Sequence, residues 1–155
     1  MTGSARKAGL PRPMTLEAMR NDHVLQRRLC NDLEAIADGL PKLPPLPEVR
    51  ALCDRIERII DDHFARAEAA FAALPLAQRP DTGALSTLHQ MHQLDEIHAQ
   101  DVIAALLQHA ARPDPQSVGQ LAYMLRCFFD GFRRLIALKE SWIARAELKG
   151  AIRPN

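Results

Sequence analysis

Three histidines, His23, His63 and His92, each sit within a run of apolar residues spaced three and four apart. Apolar residues at that spacing share one face of a helix, so each imidazole is expected to point inward among aliphatic side chains. Glu96 follows His92 by four residues. Side chains four apart on a helix differ by only about 40° in direction, so His92 and Glu96 are expected to project together. A fourth stripe carries Lys139. Buried polar groups need partners, and an unpaired buried charge is very costly. A shared cation is one economical partner, because imidazoles and carboxylates from facing helices are how bundles build metal sites. Taken singly, each histidine reads as a hydrogen-bonded core residue. Three on three different helices favour a shared role. His89, His98 and His109 point off the stripes or lie near a helix end and read as solvated or supporting groups; Asp61 and Asp62 read as solvated neighbours.

The elements that carry these residues are punctuated by proline and glycine. The first helix is expected from Thr15, a good N-cap, to Gly39, a good stop. The prolines of the 40–46 linker forbid helix there. A second helix is expected to start near Pro47 and end near Leu74, a third to span Thr82 to Ala111, and a fourth to run from about Pro115–Ser117 to Lys149–Gly150. The inward stripes are Leu16, Met19, His23, Cys30, Leu33 and Ala37 in the first helix, and Val49, Leu52, Ile56, Ile59, His63, Ala67, Ala70 and Leu74 in the second. The third has Leu85, Leu88, His92, Glu96, Ala99, Ile103 and Leu106; the fourth has Val118, Leu121, Leu125, Phe128, Phe132, Leu135, Lys139 and Trp142. β-Branched runs are absent and aromatics make up only 5%, so no strands are expected. The fold class is therefore all-α, an up-down-up-down four-helix bundle over residues 15–150, preceded by a disordered N-terminal tail at 1–14.

Composition narrows the function classes. The 155 residues carry a formal net charge of +1 with no basic cluster, so neither nucleic acid nor an anionic membrane surface is expected as a partner. No run reaches the ~18 apolar residues of a membrane helix, and the N-terminus has no apolar signal core; a cytoplasmic location follows by default. Cys30, Cys53 and Cys127 are odd in number and far apart, which argues against a disulfide scaffold and for small apolar core residues. No nucleophile–base pair, phosphate loop or H-E-x-x-H motif is present, so no enzyme is expected.

Asn21-Asp22-His23, Asp62-His63-Phe64-Ala65-Arg66-Ala67-Glu68 with Phe71, Met91-His92-Gln93-Leu94-Asp95-Glu96 and Gly131 to Glu140 together resemble a hemerythrin-like (HHE cation-binding) domain over about residues 15–148. That family holds a non-haem di-iron centre in a four-helix bundle and binds dioxygen, senses oxygen or redox state, or handles iron and nitric oxide. By the resemblance, His23, His63 and His92 match the histidine ligands of the first three helices, with Glu96 one turn beyond His92 as the carboxylate. The bridging glutamate of the second helix falls on Ala67, the fourth-helix histidine on Leu135 and its carboxylate on Lys139. Glu68 and Glu140 each lie one position off. Five residues from His63, Glu68 is rotated by about 140°.

The resemblance therefore implies a reduced, mononuclear iron site of His23, His63, His92 and Glu96, with Glu68 and Asp95 as further candidate ligands. An open position on the iron would take a small diatomic ligand. Lys139 is a cation substitute that either pairs with Glu96 across the bundle or snorkels to the surface along its stem. The alternative function is a metal-free descendant serving as a helical protein-interaction module. A homodimer or protein partner is expected through Phe64, Phe129 or Trp142 if these are partly exposed.

Overall fold

A computed structural model describes residues 12–151. Helix α1 spans Leu16–Gly39 and is capped by Thr15, whose Oγ1 accepts from the Ala18 N–H at 3.0 Å. Helix α2 spans Leu46–Arg58, with Pro47 in its first turn where the missing N–H costs nothing. A π-helical turn, Ile59–His63, joins it directly to α3, Phe64–Ala72. Helix α4 spans Thr82–Ala111 and starts on Asp81, whose Oδ1 accepts from the Ala84 N–H at 2.7 Å. A 3-10 turn, Pro115–Ser117, leads into α5, Val118–Ala151.

Short connections make sequential rods antiparallel. Helix α1 packs on α5, α5 on α4, α4 on α2 and α3, and α2 on α1. This is the expected up-down-up-down bundle, with the second rod divided by its π turn. The core contains Leu33, Val49, Ile56, Phe71, Leu88, Leu125, Phe128, Phe132 and Leu135, all from the expected stripes apart from Phe71.

Four expectations about burial need correction. His109, read as a solvated or supporting group, is buried at 5% exposure. Met14, assigned to the tail, is buried at 6% exposure and belongs to the core, while residues 1–11 of that tail lie outside the described residues. Phe64 and Phe129 are buried and offer no dimer surface. Cys30 and Cys53 are buried, and burial pushes both thiols up to about 11; Cys127, by contrast, is exposed.

Candidate functional site

The four rods bring His23, His63, His92 and Lys139 into one buried layer, all at 3% exposure or less. Each imidazole is held from outside by a carboxylate on a neighbouring helix. His23 Nδ1–H donates to Glu140 Oε1 of α5 at 2.6 Å, and His63 Nδ1–H to Asp22 Oδ2 of α1 at 2.9 Å. His92 Nδ1–H donates to Glu68 Oε1 of α3 at 2.6 Å, and the other oxygen of Glu68 takes His89 Nδ1–H at 2.9 Å. A carboxylate only accepts, so it fixes the proton on Nδ1 and leaves the Nε2 lone pair facing the core. An outer carboxylate on an inward imidazole is the arrangement that orients histidine ligands in metal sites.

Lys139 occupies the centre of this layer. Its Nζ donates to His63 Nε2 at 3.1 Å and to His92 Nε2 at 3.4 Å. Phe64 stacks on the His92 ring, centroids 4.1 Å apart, and its face lies 5.4 Å from the Lys139 nitrogen, close enough for a cation–π contact. A continuous hydrogen-bonded chain thus crosses the bundle, from Asp22 through His63, Lys139 and His92 to Glu68 and His89. His23 stands beside it, its ring centroid 5.5 Å from that of His63, and its buried Nε2 has no partner.

Burial sets the titration of the layer. Desolvation lowers the Lys139 amine to about 7, against the attraction of Asp95, Glu68 and Asp22. Desolvation also lowers His23 and His92 to about 4, although Glu140 and Glu68 pull the other way. His63 falls furthest, because desolvation and the charge of Lys139 act together. All three imidazoles are therefore neutral at pH 7.

The carboxylates differ from expectation in their roles. Glu96 is exposed and outside the cluster. At about 100° per residue, the buried Ala99, Val102, Leu106 and His109 all fall on one side of the His92 direction, and Glu96 falls on the other. Asp95 falls on the core side and is half-buried; desolvation raises its carboxyl, with His98, Lys139 and Arg134 opposing. Lys139 neither pairs with Glu96 nor snorkels, since it is fully buried against two imidazoles. Glu68 and Glu140 sit one residue beyond the inward Ala67 and Lys139. That rotation of about 100° turns them to the helix edge, where they hold a neighbouring histidine rather than face the centre. Asp22, just before His23, does the same for His63. A carboxylate adjacent to an inward position is the sequence signal for Asp22, which was not among the expected site residues.

These residues do not fit the metal centre that the resemblance implies. The inward Nε2 atoms are correctly aimed, and the unpartnered His23 Nε2 marks where one more contact is due. However, His63 and His92 already spend their lone pairs on Lys139. A metal ion about 2.1 Å from either nitrogen would meet that amine. Neither bridging position carries a carboxylate, because Ala67 and Lys139 stand there; Asp95, half-buried on the core side, attracts the Lys139 amine most strongly of the carboxylates. Among the described residues, no three His, Cys, Asp or Glu side chains are grouped to hold an ion.

No curated protein and no solved structure matches the chain. The family model described as "Hemerythrin HHE cation binding domain" matches residues 14–146, most of the chain and all four rods. With the bundle, the inward histidines and their outer carboxylates in place, the chain belongs to the hemerythrin HHE cation-binding family.

Proposed function

We propose that this chain is a hemerythrin-family bundle that works without a metal and serves as a helical protein-interaction module. The observation that carries the reading is the Lys139 amine between His63 and His92, hydrogen-bonded to both imidazoles where an ion would need their lone pairs. An amine in either protonation state has N–H groups for both nitrogens, so the chain itself satisfies the inward nitrogens of His63 and His92, while His23 Nε2 stays without a partner. Leu94 and Ile97, three apart on α4 and 57% and 55% exposed, support a partner surface. No helix among the described residues is long and apolar enough to cross a membrane.

A second reading, one non-haem iron bound by His23, His63 and His92 with Lys139 displaced, is favoured by the unpartnered Nε2 of His23. Anaerobic iron loading followed by desalting separates the two. The metal-free reading expects no stoichiometric iron and a melting temperature indifferent to a chelator. About one iron per chain, absent from His63→Ala, would replace it with the mononuclear site and reopen oxygen and nitric oxide binding as functions.

A further inference from the structure

An amine is a nucleophile through its lone pair, which it has only when neutral. Lys139 is fully buried, whereas Lys42 and Lys149 are exposed. Burial disfavours its charged form and outweighs the pull of Asp95, Glu68 and Asp22. Its Nζ faces two acceptors, His63 Nε2 at 3.1 Å and His92 Nε2 at 3.4 Å. Each imidazole is backed by a carboxylate, His63 by Asp22 at 2.9 Å and His92 by Glu68 at 2.6 Å. A nucleophile against an imidazole whose far nitrogen is oriented by a carboxylate is the arrangement that activates hydroxyls and thiols. In this layer an amine stands in the nucleophile's place.

Access selects the electrophile. The approach from solvent is a cleft between α1 and the π turn, where His63 forms part of the wall beside Leu25 and Ile59. One imidazole ring therefore separates this cleft from the amine, and Phe64 covers the amine from another side. Aldehydes and keto acids carry substituents that such packing excludes. Carbon dioxide is uncharged, linear and triatomic, and side-chain rotations are enough to admit it. Two polar groups on the inward side of α1 are buried without partners: His23 Nε2 and, one turn further on, the Gln26 amide. Unsatisfied groups of this kind call for a partner, and an oxygen-bearing product at the centre of the layer brings new acceptors toward them.

We infer that Lys139 binds carbon dioxide reversibly as a carbamate, with His63 accepting the proton that the amine gives up. The Nζ lone pair forms a bond to carbon, one C=O π pair moves to oxygen, and an Nζ proton passes to His63 Nε2. The products are a carbamate and an imidazolium, so no net charge enters the layer and no further reactant is needed. The remaining Nζ–H keeps His92 Nε2 as its acceptor, the new Nε2–H of His63 has a carbamate oxygen to donate to, and Asp22 lies against the new positive charge. Carbamate formation rests on the metal-free reading, because a metal on His63 would occupy the lone pair that takes the proton.

Carbon NMR of the full chain under isotope-labelled carbon dioxide, in chelator-containing buffer at about pH 7.5, tests it; exposed lysines are almost wholly charged at that pH. The expected result is a carbamate resonance from the folded wild type beyond that of the terminal α-amine. It should disappear in urea, where Lys139 regains an ordinary charged amine, and be absent from Lys139→Met. His63→Gln keeps an acceptor for the amine but cannot take its proton. It should lower carbamate occupancy at a fixed gas pressure by at least about tenfold. A resonance that is the same in urea and in Lys139→Met belongs to the α-amine and would overturn the assignment, as would no resonance at all; the metal-free reading stands in both cases. Stoichiometric iron in the loading experiment would overturn the two together. If Lys139→Met fails to fold, the urea comparison and His63→Gln decide the question.

Discussion

Toward the connections at 40–45 and 112–117, the rods bury Leu33, Val49, Leu106, Leu121 and Leu125, aliphatic side chains packed against one another. One layer further along, the same rods bury His23, His63, His92 and Lys139. The first region is held by the removal of apolar area from water, which has no pH dependence and no required partner. The second is held by directed contacts among groups that would be costly alone. The difference shows how a bundle accommodates a polar centre: the outer carboxylates fix the imidazoles, the imidazoles accept from the amine, and burial suppresses the charges the layer would otherwise carry.

Mutations sharpen that contrast. Leu125→Ala should cost the most, about 2–5 kcal/mol from transfer and cavity terms, with the same loss at pH 6 and pH 9 in urea unfolding. Lys139→Met should cost less and behave differently. It strands the Nε2 atoms of His63 and His92, each worth about 1–3 kcal/mol when left dry, but it adds apolar packing. The expected net loss at pH 9 is about 2 kcal/mol, and it should shrink below pH 7, where the wild type also pays for a buried charge. Asp32→Asn removes an exposed ion pair with Arg55 and should change stability by less than about 1 kcal/mol. A Lys139→Met loss that is identical at both pH values would erase the distinction between the two regions.

Much of the fold was legible because the apolar stripes are long and the breaks carry clear chemistry. Thr15 capped the first helix as expected, and the prolines at 41, 44 and 45 ended it. The inward histidines were legible for the same reason. Glu96 was misplaced because an interval of four fits one helical turn equally well on either edge of a stripe, and only the later residues Ala99, Val102 and Leu106 reveal the side to which the stripe drifts. The π turn left no local signal, since Ile59 to His63 reads as ordinary helix. The partners of Lys139 were hidden because they depend on how three rods meet. His109, placed among the solvated groups, is buried at 5% exposure and lies on the same drifting stripe.

The claim most open to direct attack is that Lys139 is buried with its amine lowered to about 7 from an ordinary 10.5. Between those values the unfolded chain holds a proton that the folded chain has released, so stability should rise as pH rises from about 7 toward 10. The histidines act lower down. His23 and His92, at about 4 rather than 6.5, should make stability fall as pH drops from about 6.5 toward 4. The decisive measurement is the unfolding free energy of wild type and Lys139→Met across pH 7 to 10 in chelator-containing buffer. Cys30 and Cys53, raised to about 11, lower both curves alike as pH climbs past about 9, so the difference between the two curves isolates Lys139. The account predicts that the wild type gains stability relative to Lys139→Met from pH 7 to pH 10; a difference that does not change with pH would contradict it.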